Sequence, residues 1–356
     1  MKNAPLLAQA APRVADWYAA HRVDLPWRSD PTPYHVWISE IMLQQTRIEA
    51  AIPYYHRFLA ALPDVAALAS VDDDALMALW QGLGYYSRAR NLKKAACVLV
   101  EEYGGALPAD AAKLRALPGI GDYTAGAIAS IAFGLPEPAV DGNVMRVVAR
   151  LTASRDDVMS TKARAAVTAA LRAIYPAGEA AAALTEGLME LGERVCIPNG
   201  EPRCEACPAA DLCRARAQGD PARYPVRSKP KPRRIEPITV FVLRCGDRLA
   251  LCRRPERGLL AGLWELPNVA GTLSAEEAAA RLTEQGIAPL GIAPCGQARH
   301  IFSHVEWRMT GYLVDCREAS PAFDWFTREE VGKTVAVPTA FRYYVNLWEI
   351  NVCPTA

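Results

Sequence analysis

Cys196, Cys204, Cys207 and Cys213 are spaced C-x7-C-x2-C-x5-C. Four thiols that close are the donor set of a metal site, since thiolates serve both zinc and iron–sulfur clusters. No histidine lies between His56 and His300, so the nearby ligands are all sulfur. Spacing alone leaves zinc and iron–sulfur open. Two carboxylates also stand out. Glu40 lies in VWISEIMLQQTRIEAAIPYY, where a continuous helix would put Glu40, Gln44 and Arg47 on one face and Ile41, Ile48 and Ile52 on another. By pattern alone that polar face is solvated. Asp141, in AVDGNVMRVVARL, precedes an apolar-periodic helix and by pattern alone is an N-cap. Residues 117–128, LPGIGDYTAGAI, form a tight turn at Pro118, Gly119 and Gly121, with an apolar helix opening behind it. Glycine permits positive φ and close approach of a ligand to the backbone, and a helix N-terminus suits a phosphate. The run reads as an ordinary capped turn or as a helix-hairpin-helix grip on DNA.

The elements that must position these groups fall into two textures. The chain has 356 residues, enough for two cores, and an ordinary apolar content. Residues 1–225 show helical periodicity, for example at Val144, Val147, Val148 and Leu151. A proline-rich, basic stretch, 226–235, reads as an extended linker; within it RSKPKPRR (227–234) carries five basic side chains and no acid. Residues 236–356 change character. Strands are expected at 237–244, 248–253 and 305–314 and helices at 274–285 and 339–349, which describes a smaller α+β domain. Net charge is only +1, so any hold on nucleic acid must come from local patches. No run approaches ~20 apolar residues and the N-terminus lacks a signal-like core, so a cytoplasmic protein without a membrane span is expected. Cys97, Cys245, Cys252, Cys295, Cys316 and Cys353 are scattered among apolar neighbours and read as reduced thiols.

The blocks WISEIMLQQT, GLGYYSRARNL, LPGIGDYTAGAI and VDGNVMRV, in this order and spacing, resemble the MutY-type adenine glycosylases of the endonuclease III (helix-hairpin-helix) superfamily. With the cysteine run and the C-terminal domain, the resemblance covers most of the chain. It implies an all-α helix-hairpin-helix domain followed by a Nudix-like α+β domain, and a [4Fe–4S] cluster on the four cysteines. The family spacing is C-x6-C-x2-C-x5-C, so this chain carries one extra residue in the first gap. It also implies a DNA repair enzyme that removes adenine opposite 8-oxoguanine or guanine, acting as a monomer on double-stranded DNA in a bacterial-type, nucleoid-associated setting. Lyase members of the superfamily carry a lysine after the position of Asp122; here that residue is Tyr123, which cannot form a Schiff base. The activity expected is therefore monofunctional.

Residue by residue, the resemblance assigns Glu40 as the acid that protonates adenine and Asp141 as the carboxylate that stabilises the sugar cation. Tyr123 is expected near Asp141, and Asn143 bonded to it. Arg28 and Glu186, with Trp27 as a wall, are expected to line the adenine pocket. Gln44, Gln45, Thr46, Leu83 and Tyr85 are expected around the base gap, with Gln45 and Tyr85 as wedges and Leu83 as an addition to them. Pro118, Gly119 and Gly121 would hold phosphate. In the second domain, Phe302, Ser303 and His304 match a loop that reads 8-oxoguanine. A Nudix hydrolase needs several glutamates for Mg²⁺, but the matching positions here are Ala280, Thr283 and Glu284, so pyrophosphate hydrolysis is rejected. The rivals are another glycosylase of the superfamily, for mismatched thymine or oxidised pyrimidine, and a non-catalytic DNA-binding module.

Overall fold

The computed structural model describes residues 3–229, 232–332 and 335–351. Pro230 and Lys231 of the basic run, and Cys353, lie outside the described residues. Packing divides the chain into two compact units, Met1–Ser70 with Arg90–Lys229, and Val71–Ala89 with Pro230–Ala356. No helix among the described residues is long and apolar enough to cross a membrane.

The first unit is helical. One core joins the helices Ala4–His21, Gly142–Thr152 and Glu179–Arg194 through Leu7, Val14, Val144, Val147, Val148, Leu184, Leu188 and Leu191. Burying each such side chain stabilises the fold by about 1.5–3 kcal/mol, more than local helix propensity supplies. Helix starts follow the sequence. The Thr32 hydroxyl accepts from the His35 N–H at the head of Pro33–Leu43, and Asp141 caps Gly142–Thr152. The continuous helix expected across 36–55 is instead broken. Pro33–Leu43 ends before Gln44, Gln45 takes φ 61°, and a new helix runs Ile48–Ala61. Arg47 therefore caps the second helix and does not share a face with Glu40.

The second unit is built on a seven-stranded sheet. Its strands are β1 (Arg234–Cys245), β2 (Arg248–Arg253), β3 (Trp264–Glu265), β4 (Asn268–Ala270), β5 (Pro289–Ile301), β6 (Val305–Cys316) and β7 (Asp324–Phe326). The order is β3-β2-β1-β6-β5, with β4 beside β1 and β7 beside β2. The β1–β6 pair is parallel, from Arg234 opposite Val305 to Arg244 opposite Asp315, and every other pair is antiparallel. The apolar run in β1 follows from its position. Val240 and Val242 face a core with Phe341, Tyr344 and Trp348, whereas Phe241 and Leu243 face Ala278 and Leu282. Both faces are covered, one by the helix Arg342–Asn351 and the other by Ala275–Glu284, so alternation gives way to continuous apolarity. Residues 71–89 pack with this unit: Asp74 pairs with Arg253 at 2.6 Å and Gln81 donates to the Val337 carbonyl. β1 begins at Arg234, so Arg234 and Ile235 of the expected linker are strand. Upstream, the Val158 and Ser228 N–H groups tie 226–228 back to the first unit, donating to the Val226 carbonyl and to Asp157.

Candidate active site and cysteine-lined cavity

A cavity of about 810 Å³ opens in the first unit, lined by Glu40, Tyr123, Asp141, Asn143, Arg28 and Glu186, with Trp27, Gln44, Gln45 and Thr46 also on its wall. Every residue expected in the adenine site from this unit is present in one space. Glu40, on Pro33–Leu43, is 7% exposed, so the solvated face inferred from pattern is replaced by a buried carboxyl. Burial raises its pKa from the ordinary 4.5 to about 7, with smaller pushes from the Glu186 and Asp141 charges. The Tyr123 hydroxyl donates to Glu40 Oε2 at 2.5 Å. Tyr123 thus gives its hydroxyl to Glu40, while it shares the cavity with Asp141, near which it is expected. It sits in the first turn of Asp122–Ala127, directly behind the hairpin turn.

Asp141 is held differently. Its Oδ1 accepts from the Val144 N–H at 2.7 Å and its Oδ2 from the Asn143 side-chain amide at 2.9 Å. It is an N-cap, as its sequence pattern reads, and it also faces the cavity. Burial pushes its pKa up, while the Val144 and Asn143 donors pull against that shift. Two carboxyls in one cavity therefore have unlike surroundings. Glu40 has one hydroxyl donor and heavy burial; Asp141 has donors that favour its anion. Burial raises both carboxyls, and Asp141 has more donors opposing the rise than Glu40 has.

The hairpin turn joins Ala111–Ala116 to Asp122–Ala127, which continues as a π-helical turn, Ile128–Ala132. Gly119 has φ 76°, and a Cβ there would stand 2.5 Å from the Asn91 Cβ. Gly121 is extended, with φ −89°, so of the two glycines only Gly119 takes the left-handed region. Cys196, Cys204, Cys207 and Cys213 line a second, smaller cavity together with Arg150. Burial raises the pKa of Cys204, Cys207 and Cys213. Arg150 donates to Cys196 Sγ at 3.3 Å. Among the described residues no three His, Cys, Asp or Glu side chains converge on a single ion.

Residues 38–173 match the HhH-GPD superfamily of base excision DNA repair proteins, and residues 239–347 match the NUDIX domain family. The Mus musculus adenine DNA glycosylase is 35% identical over 397 residues, covering 94% of this chain and 76% of that protein. This chain belongs to the adenine DNA glycosylases. It is an adenine-DNA N-glycosylase of the helix-hairpin-helix superfamily, with DNA as its partner. A solved thermostable thymine-DNA glycosylase superposes with a TM-score of 0.53 at 26% identity, covering 58% of this chain and 95% of that one. A trapped endonuclease III–DNA covalent intermediate gives 0.51 at 26% identity, covering 62% and 99%.

The remaining residues expected at the site lie in the second unit. Phe302, Ser303 and His304 form the three-residue connection between β5 and β6, closed by the Phe302 N–H on the Val305 carbonyl. Phe302 is wedged between His300 and Trp307, with ring centroids at 4.6 and 4.8 Å, while Ser303 and His304 are exposed. The Ser303 hydroxyl meets the Tyr85 hydroxyl at 3.1 Å. Tyr85 is 47% exposed and has φ 47°, whereas Leu83 is 7% exposed. Four non-glycine residues among those described have positive φ, and Gln45 and Tyr85 are two of them. Both expected wedges thus have strained backbone, which the sequence does not display.

Arg146 went unread in the sequence. It is 3% exposed and donates to Asn143 Oδ1 at 2.7 Å, the Gly192 carbonyl at 2.6 Å and the Cys196 carbonyl at 2.7 Å. It ties the Asp141–Asn143 cap to the cysteine loop. Its signal was a pair of arginines, Arg146 and Arg150, at helical spacing on an otherwise apolar helix. Glu190 and Tyr18 were missed too. Glu190 stands one turn beyond Glu186 on the same helix.

Proposed function

We propose that this glycosylase removes adenine paired with 8-oxoguanine by hydrolysing the N-glycosidic bond, and leaves the DNA backbone intact. The observation that carries the mechanism is the unlike pair of carboxyls in one cavity, with Glu40 held protonated up to about pH 7 and Asp141 held by donors. Extruding the adenine costs a few kcal/mol and puts it beside Glu40. Glu40 protonates N7 of the base, which makes it a competent leaving group. The departing base takes the bonding electrons and leaves an oxocarbenium-like sugar. The Asp141 carboxylate stabilises that cation, by charge or by a transient bond, and water then adds at the sugar carbon. Glu40, now ionised, accepts the proton of that water. The logic parallels retaining glycoside hydrolysis. Tyr123 holds Glu40 in place and, having no amine, offers no Schiff-base route to strand cleavage.

Arg28, Glu186 and Trp27 form the wall for the adenine, and Gln44 and Thr46 the lip beside it. Gln45 and Tyr85 fill the gap left in the duplex. Phe302, Ser303 and His304 read the opposite base: the Ser303 hydroxyl is donor and acceptor and can meet the N7–H or the C8 carbonyl of 8-oxoguanine. The loop Pro118–Gly121, with the basic linker, holds phosphates. The division we adopt is a catalytic domain at 1–225, a linker at 226–235 and a reading domain at 236–356. The four cysteines line one cavity and supply the four thiolates that a [4Fe–4S] cluster takes, the cofactor that the family resemblance implies. Such a cluster would fasten the loop that carries Arg203, Arg214 and Arg216. The test is a single-turnover assay on a duplex with one A opposite 8-oxoguanine, with and without alkali. Strand breaks only after alkali are expected. Breaks without alkali would overturn the monofunctional reading, and intact duplex after alkali would overturn the substrate.

A further inference from the structure

One wall of the cavity is held from outside it. The Tyr18 hydroxyl donates to Glu186 Oε2 at 2.8 Å, and Arg28 Nε donates to Oε1 of the same carboxylate at 2.8 Å. Arg28 Nη1 donates to Glu190 Oε2 at 2.7 Å and to the Val23 carbonyl at 2.9 Å. Glu190 Oε1 accepts from Arg194 at 2.5 Å. The Tyr18 ring also lies 5.2 Å from the Arg28 guanidinium carbon. Tyr18 and Glu190 are each 4% exposed. Glu186 and Arg28 line the cavity, whereas Tyr18 does not.

The approach of Tyr18 depends on the residue beside Glu186. A Cβ at Gly187 would stand 3.0 Å from the Tyr18 Cβ and 3.1 Å from the Val14 carbonyl oxygen. The missing side chain lets the helices Ala4–His21 and Glu179–Arg194 close until the Tyr18 hydroxyl reaches the carboxylate. Burial and the Glu186 charge raise the Tyr18 pKa, so the hydroxyl keeps its proton and donates. With both oxygens engaged, Glu186 has one orientation, and so does Arg28.

We propose that Tyr18 is a positioning residue: through its hydroxyl it fixes the Glu186–Arg28 pair in the one arrangement that receives the edge of the extruded adenine. This rests on the reading above, in which Glu186 and Arg28 face the base. Because Tyr18 acts through Glu186, its loss changes the rate of excision and not the hold on the duplex.

The experiment compares single-turnover excision and duplex affinity for the full chain, Tyr18→Phe, Glu186→Gln and the double variant. Phenylalanine keeps the ring and its packing. A loss of about tenfold in rate is expected for Tyr18→Phe, with affinity and thermal midpoint unchanged, as for one hydrogen bond to a charged group. The double variant is expected to be no slower than Glu186→Gln, since contacting residues in one network are not additive. Gly187→Ala, which presses a Cβ onto Tyr18, is a second probe. It is expected to slow excision in the native background and to have no effect once Glu186 is glutamine. Tyr18→Phe at native speed, or losses that multiply in the double variant, would overturn the proposal and leave the proposed reaction standing. A native chain that leaves adenine in place would overturn both.

Discussion

The Glu40 cavity and the Phe302–His304 turn differ in what water does to them. Glu40, Asp141 and Tyr123 sit in a desolvated space with their hydrogen bonds fixed. Ser303 and His304 stand exposed on a three-residue turn, anchored by the Phe302 ring and by backbone hydrogen bonds at Phe302 and His304. Proton transfer needs a carboxyl with a raised pKa, and burial is the largest of the causes that supply it here. Reading a base needs donors and acceptors that are open before the partner arrives. One region spends stability on function; the other spends little.

The largest effect should come from removing charge from the buried pair. Asp141→Asn keeps its cap but loses its anion. Single-turnover excision should fall about a thousandfold, with duplex binding retained. A fast variant would erase the distinction between the two regions. Next is pH. If Glu40 is the acid, excision should fall roughly tenfold per unit as pH rises above about 7, where its proton leaves.

The same group carries a stability signature. Its folded pKa lies above the ordinary 4.5. Between about 4.5 and 7 the unfolded chain gives up a proton that the folded one keeps, so stability falls as pH rises through that window. Glu40→Gln should abolish excision and yet raise the thermal midpoint at pH 8 by a few degrees, with little change at pH 4. A midpoint that drops at pH 8 would mean Glu40 is held for stability.

Changes outside the cavity should be gentler. Gly119→Ala forces a side chain into the left-handed region against Asn91, and should weaken duplex binding and cost about 1–3 kcal/mol of stability. Native affinity in that variant would detach the turn from DNA. Smallest in rate is the exposed turn. Ser303→Ala with His304→Ala should leave the chemistry intact and reduce the preference for 8-oxoguanine over guanine by about tenfold, a couple of hydrogen bonds' worth. Unchanged preference would remove the reading role from this turn.

Much of the fold was legible because it rests on local rules. Thr32 and Asp141 announce helix starts, and the apolar run of β1 announces a strand. β5 was not legible. Its sequence, PLGIAPCGQARHI, has prolines, glycines and no clean alternation. It is an edge strand bonded only to β6, with irregular register at Pro289 and Pro294, where a missing N–H is tolerated. The break at Gln44–Arg47 was hidden for a related reason. Good helix formers continue through it, and a positive φ at Gln45 is decided by surroundings, not by residue type.

By itself the sequence determined the chemical inventory. It gave four thiols in one run, two carboxylates ahead of or within helices, a tyrosine where lyases carry lysine, and a second domain short of metal-binding glutamates. Tertiary structure decided what those groups are. Burial raised the pKa of Glu40, the Val144 and Asn143 donors oppose the same push at Asp141, and the closure of two helices at Gly187 brought Tyr18 to Glu186. Residue type fixes a group's intrinsic pKa and hydrogen-bonding capacity. Desolvation and partners come from segments distant in the chain, and only the folded chain brings them together.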